Sequence, residues 1–193
     1  MFNQKTKINR HVERRAYIAE LTTGKAVLHL GASDTGMEGT SIDNLIRSVA
    51  SGVFSVDVEF PPHFEGDHGY YDLNTDVICD YQGGDYVYDI AIAGEVLEHL
   101  TNPSGIADFI YSLTFLPDKI LITVPNAFTP SRFNENRLDG DVFEEIVHPQ
   151  HYCYYTPYTI SNWCRTMFKD VYEIEQTVLI DNFNSIGLLL KRI

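Results

Sequence analysis

Cysteine is scarce in this chain of 193 residues: there are three, Cys79, Cys153 and Cys164, far apart and with no CxxC pair. That excludes a disulfide framework and a cysteine zinc site, and it makes a reducing cytoplasm the expected location. Positive charge is scarce too, with 14 Lys and Arg against 27 Asp and Glu and a formal net charge of -13. Nucleic-acid binding and docking on anionic membranes both need cations to meet phosphates, so neither partner is expected. A cationic ligand would feel a mild attraction instead. No apolar run approaches the ~18 residues of a membrane span, and residues 1–15 are polar and basic, unlike a signal peptide. There is no internal repeat and no low-complexity tract. The remainder, 44% hydrophobic and 21% charged, is ordinary for a globular protein. Its length suggests one domain over residues 1–193 with a sizeable core.

The apolar pattern alternates between strands and helices. Residues 10–21 have helical spacing and predict an N-terminal helical segment within residues 1–24, ended near Gly24. Residues 26–30, AVLHL, read as a buried strand. Thr40 or Ser41 then caps a helix whose stripe is Ile42, Leu45, Ile46 and Val49. VFSV at 53–56 is a second strand, YYDL a third, and YDIAIAG at 88–94 a fourth. EVLEHL reads as the start of a helical segment, Pro103 starts another helix, and KILITVP at 119–125 is a strand stopped by its proline. Residues 126–155 look irregular and predict a substrate-side loop region. TPYTISNWCRTMF restarts a helix with Thr156 as cap and Pro157 in first position. Two strands joined at 181–184 close the chain as an antiparallel hairpin. This order predicts a three-layer α/β fold with a mostly parallel sheet, with ligands at the carboxyl ends of the strands.

Those ends carry the chemistry. Gly31-x-Ser33-x-x-Gly36 is a dinucleotide fingerprint without its middle glycine. Gly31 and Gly36 also have phosphate-loop spacing, but Met37 and Glu38 follow where Lys and Ser or Thr are needed. Gly31 lets the backbone approach a ligand or simply makes a tight turn, and the turn alone leaves the ligand open. Asp57 closes the second strand, where an acid accepts from both hydroxyls of an adenosine ribose, with Glu59 a weaker competitor. After the third strand, Asp72 suits an adenine amino group and the Leu73 backbone a ring nitrogen, although Asp67, Asp76 and Asp80 lie nearby.

YDIAIAGEVLEHL is the most specific stretch. Together with VLHLGAS, VFSVDVE, ILITVPNAF and HPQHYCYYTP, in order over residues 20–190, it resembles the class I S-adenosylmethionine-dependent methyltransferases. It is particularly similar to the small methyltransferase-11/12-like group, whose fourth strand runs into Glu-x-x-Glu-His. The resemblance implies a Rossmann-like methyltransferase fold with a mostly parallel seven-stranded sheet and a C-terminal antiparallel hairpin. It implies S-adenosylmethionine as cofactor and S-adenosylhomocysteine as product. Gly31, Ala32 and Ser33 would pass beneath the methionine and ribose. Asp57, with Val58 beside it, would hold the ribose hydroxyls, and Asp72 and Leu73 would flank the adenine. Ala93, Gly94 and Glu95 would line the sulfonium side. Two positions depart from the family: His29 stands where an acid is usual, and Ser33 where a second glycine is usual. His29 is expected as a hydrogen-bonded core histidine.

Neither HExxH nor HxxEH is met by EVLEHL, so no metal is expected there, and Glu98 and His99 are expected to brace the segment or shape the substrate pocket. A hydroxyl acceptor needs a base, and the candidates are His151 first and His148 second, each of which equally suits a structural role. His148-x-x-His151 with Glu144 and Glu145 also has the composition to hold a divalent cation. Tyr152, Tyr154, Tyr155 and Phe128 are candidates for an aromatic rim. The expected activity is O-methylation of a small molecule or of a sugar or glycan hydroxyl, by a monomer or homodimer. The alternatives are a non-catalytic binding module on the same fold and an NAD-dependent oxidoreductase using Gly31 and Gly36.

Overall fold

The computed structural model describes residues 8, 10–33, 41–62, 64–75, 77–80, 86–129 and 148–193. The elements run β1 (Arg10–Val12), α1 (Arg14–Thr22), β2 (Ala26–Leu30), α2 (Ile42–Val49), β3 (Gly52–Asp57), β4 (His68–Asp72) and β5 (Val77–Asp80). They continue with β6 (Ile90–Gly94), a 3-10 turn (Leu97–His99), α3 (Gly105–Ser112), β7 (Lys119–Pro125), α4 (Pro157–Met167), β8 (Tyr172–Ile180) and β9 (Ser185–Arg192). All strands join one sheet of order β1-β8-β9-β7-β6-β2-β3-β4-β5.

The middle of the sheet is parallel. β6, β2 and β3 lie side by side in one direction, with β7 parallel to β6 and β4 parallel to β3. β9 is antiparallel to both β7 and β8, which is the expected terminal hairpin. Helices cover both faces. Phe109, Ile110, Ile160 and Phe168, from the α3 and α4 side, pack on one face, while Tyr17, Ile18 and Ile46, from α1 and α2, pack on the other. The central strand is therefore apolar throughout, with Ile90, Ala91, Ile92 and Ala93 all buried, as a strand covered on both faces must be. Each such Ile or Leu contributes roughly 1.5–3 kcal/mol by leaving water. Among the described residues no helix is long and apolar enough to cross a membrane.

Among the described residues the sheet has nine strands rather than seven, and the two additions, β1 and β5, are its edges. Residues 10–12 had read as the start of a helix. The helix instead begins at Arg14, because the Glu13 carboxylate accepts from the backbone N–H groups of Arg15 and Ala16 at 3.1 and 2.6 Å. Arg10–Val12, freed from it, pairs parallel with Val178–Ile180 of β8. An edge strand needs only one hydrogen-bonding neighbour, so its side-chain pattern carries little signal. β5, for which no strand was expected, pairs antiparallel with β4.

EVLEHL forms only the 3-10 turn, not a helix. Glu95 has a positive φ of 56°, so the chain leaves β6 in a left-handed step that no helix continues. The predicted caps hold better. Ser41 accepts from Asn44 N–H at 3.4 Å, and Thr156 forms a reciprocal capping box with Thr159; Thr40 lies outside the described residues. After β2 the chain turns to one face and after β6 to the other, so the switch point lies between them.

Candidate functional site

A cavity of ≈ 680 Å³ opens at the carboxyl ends of β2, β3, β4 and β6. Its volume is in the range of small-molecule sites. Gly31 enters it at φ 70°, with its N–H donated to Val56 O at 2.8 Å. A Cβ at position 31 would stand 2.2 Å from Val96 Cγ2, so only glycine fits both the dihedral and the space. Asp57, from β3, accepts the Ser33 N–H on Oδ2 at 2.8 Å and the Val58 N–H on Oδ1 at 2.7 Å. It therefore ties the first turn to the second strand end and still lines the cavity. Because Ser33 makes this contact through its backbone, the missing glycine leaves it unaffected.

Of the residues expected at a cofactor, Gly31, Ser33, Asp57, Val58, Asp72 and Leu73 line this cavity, as do Gly94 and Glu95. Ala32 is not among the lining residues and is buried. Val58 is a rim residue, 60% exposed. Asp72 accepts Asn74 N–H at 2.8 Å and Thr75 Oγ1–H at 3.0 Å, so it also builds its own turn. Glu59 and Asp67 do not line the cavity, and Asp76 and the Asp80 side chain lie outside the described residues.

His29 resolves the first departure from the expected motif. It is buried, and its Nδ1 lies 2.9 Å from Asp43 Oδ1. Asp43, buried on α2, also receives Ser55 Oγ–H at 2.7 Å and Arg47 Nε–H at 2.6 Å. Burial alone would raise the Asp43 pKa, but the hydrogen bonds and charges of these partners outweigh it and hold the group at about 2. An ionised carboxylate only accepts, so His29 Nδ1 carries a hydrogen. The acid missing from β2 thus stands one shell back, on the next helix, and His29 itself lines the cavity.

Arg14 lines the cavity although no reading of the sequence placed it there. Arg14, at the start of α1, donates to Ser185 Oγ at 2.7 Å and pairs with Glu95 at 3.3 Å and Asp181 at 3.5 Å. These partners lie far along the chain, and only the basic character of RHVERR hinted at the arginine. Glu95 also receives Thr123 Oγ1–H at 2.9 Å; burial raises its pKa and Arg14 opposes that. His99, expected to brace its segment or shape the substrate pocket, is half-buried in the cavity wall, which Gln150 also lines.

His148 and His151 do not line the cavity themselves. They stand behind His99: its ring centroid is 4.6 Å from that of His151 and 5.8 Å from that of His148, which in turn is 4.6 Å from His151. Burial and the neighbouring His148 lower the His99 pKa. Glu98 points elsewhere. It is fully buried, its carboxyl oxygens have no hydrogen-bond partner among the described residues, and burial with Glu95 nearby pushes its pKa up to about 8. Of the expected aromatic rim, Phe128 and Tyr152 are exposed, while Tyr155 is buried in the core. Glu144 and Glu145 lie outside the described residues.

No family model and no curated protein matches the chain. Solved structures do. The chain is 14% identical, at a TM-score of 0.59, to 1,6-didemethyltoxoflavin-N1-methyltransferase of Burkholderia thailandensis, solved with 1,6-didemethyltoxoflavin and S-adenosylhomocysteine; 92% of this chain and 76% of that one are covered. An S-adenosylmethionine-dependent methyltransferase from Mesorhizobium loti is 11% identical at a TM-score of 0.57, with 93% and 96% covered. A chain of the Pnkp1/Rnl/Hen1 RNA repair complex is 18% identical at a TM-score of 0.59, with 93% of this chain but 41% of that one covered. At such identities the likeness is one of fold. It is the class I S-adenosylmethionine-dependent methyltransferase fold.

Proposed function

We propose that this protein is an S-adenosylmethionine-dependent methyltransferase that methylates a hydroxyl of a small molecule or sugar. One observation carries the reading: four separate strand ends, at Gly31, Asp57, Asp72 and Gly94, converge on one cavity at the switch point of this fold. The residues fit the cofactor. Each Asp57 oxygen already accepts one backbone N–H and keeps lone-pair capacity for a ribose hydroxyl. Leu73 offers an apolar surface to the adenine, and Asp72 an acceptor beside it. Arg14, steadied by Glu95 and Asp181, suits the methionine carboxylate. Gly94, with no side chain, leaves room on the sulfonium side.

Bound there, the cofactor supplies an activated methyl group, and the chain supplies position and electrostatics. The cavity wall at His99 and Gln150 is the acceptor side. His151 and then His148, which stand behind His99, are the first residues to test as the base for the acceptor hydroxyl. A formal net charge of -13 disfavours a nucleic-acid acceptor, although one neighbour of this fold belongs to an RNA repair complex.

Titration calorimetry tests the reading. The protein should bind S-adenosylmethionine and S-adenosylhomocysteine well below ~1 mM. Asp57→Ala should weaken both by about 100-fold, because it removes charge-assisted hydrogen bonds worth roughly 1.5–3 kcal/mol each. Absence of binding at ~1 mM sinks the reading. Binding without turnover on a broad panel of hydroxyl acceptors favours a non-catalytic module.

A further inference from the structure

We propose that His99, His148 and His151 form a three-imidazole site for one divalent transition-metal ion of the zinc class, at the acceptor end of the cavity. The three rings come from two separate parts of the chain, and one ligand nitrogen from each lies within 4.8 Å of the others. Around a tetrahedral zinc-class ion at ~2.0–2.1 Å, nitrogens stand about 3.3 Å apart. Small side-chain rotations close that difference.

The backbone already holds the arrangement. His148 and His151 share one turn, with His151 N–H donated to His148 O at 3.1 Å. That turn is docked on the 3-10 turn carrying His99 by Tyr152 N–H donating to Glu98 O at 2.8 Å. His148 N–H is donated to the Tyr154 hydroxyl at 3.0 Å. The His99 ring is hydrogen-bonded to the Gln150 backbone. Such a bond orients a ligating imidazole and leaves its other nitrogen for a metal. His148 Nδ1 takes the Gln150 N–H at 3.3 Å. Ligation through His148 Nε2 moves the ring hydrogen to Nδ1 and gives up that long, weak bond.

Three imidazoles with no carboxylate among them select a borderline-soft ion such as zinc, iron or cobalt over magnesium or calcium, which prefer oxygen. EVLEHL by itself matches no zinc motif, and His148-x-x-His151 lies on a loop far along the chain; only the fold adds His99 to that pair. Three protein ligands leave a fourth position open, and His99 with Gln150 faces the cavity. The consequence for catalysis rests on the methyltransferase reading. An acceptor hydroxyl at the open position has its pKa lowered by the ion and gives its proton to solvent. Its oxygen then forms the bond to the methyl carbon while the carbon–sulfur bond breaks, and sulfur keeps the electron pair. His151 then serves as ligand rather than base.

The test uses the full chain, without a histidine tag and stripped by chelator. Cobalt(II) is titrated in, visible absorption is followed, and zinc(II) is added in competition. One equivalent should bind with a dissociation constant below ~10 μM, giving d–d bands that zinc abolishes. His148→Ala, at an exposed residue, and His151→Ala should each weaken cobalt binding by about 100-fold, with circular dichroism and S-adenosylhomocysteine affinity retained. No saturable absorption up to ~1 mM cobalt overturns the site, as does unchanged binding in both variants. Cobalt binding without S-adenosylhomocysteine binding keeps the metal site and rejects the methyltransferase reading; the reverse pattern rejects the site alone.

Discussion

Replacing Asp43 by asparagine should cost this protein about 2–3 kcal/mol of stability at neutral pH, and the cost should fade in acid. Asp43 is 2% exposed and bonded to His29, Ser55 and Arg47 at 2.9, 2.7 and 2.6 Å. Its pKa falls from an ordinary 3.8 to about 2, a difference equivalent to roughly 2.5 kcal/mol. A depressed carboxylate stabilises the folded state fully above its ordinary value and loses that contribution as pH falls through its folded value. The window is therefore about pH 4 down to pH 2. Asparagine removes the charge, presents an amide N–H₂ to one donor, and leaves the Arg47 guanidinium without its counter-charge. Arg47 is 22% exposed on its side chain, which keeps the loss below the 3–5 kcal/mol of a fully buried broken pair. The assay is urea unfolding followed by circular dichroism at pH 7, 4 and 2.5. Other carboxylates titrate in both proteins and largely cancel in the difference. The two stability profiles should converge below pH 4. Parallel profiles down to pH 2.5, or a difference under ~0.5 kcal/mol at pH 7, refute the reasoning.

Two further substitutions probe the cavity. Gly31→Ala combines a left-handed dihedral that costs about 1–2 kcal/mol with a Cβ 2.2 Å from Val96 Cγ2. It should lower the thermal midpoint and weaken S-adenosylhomocysteine, and adding Val96→Ala should restore part of the stability; a midpoint unchanged by Gly31→Ala contradicts this. Arg14→Ala should weaken S-adenosylhomocysteine about 10-fold or more while leaving adenosine affinity unchanged, because in the proposed pose the guanidinium would meet only the methionine end. An equal loss for both ligands places Arg14 elsewhere.

Much of the layout was legible because its causes are local. A run such as IAIAG is buried on both faces and reads as a central strand, and the Thr156 and Ser41 caps announce their helices within four residues. That Asp57 would stand at the cavity was readable because ligand sites lie at the strand ends of this fold. What stayed hidden depends on contacts across the chain. β1 is a strand only because β8 lies beside it and Glu13 delays the helix. The helical period of EVLEHL fails because Glu95 takes a left-handed turn after β6. The acid that partners His29 comes from α2, Arg14 reaches the cavity from α1, and His99 meets His148 and His151 only once the loop docks.

A crystal structure with S-adenosylhomocysteine tests the central claim most directly. The account predicts both ribose hydroxyls within ~2.6–3.2 Å of the Asp57 carboxylate, the adenine against Leu73, and the sulfur beside Gly94 on the side that opens toward His99. S-adenosylhomocysteine bound away from this cavity, or with its ribose remote from Asp57, would contradict it.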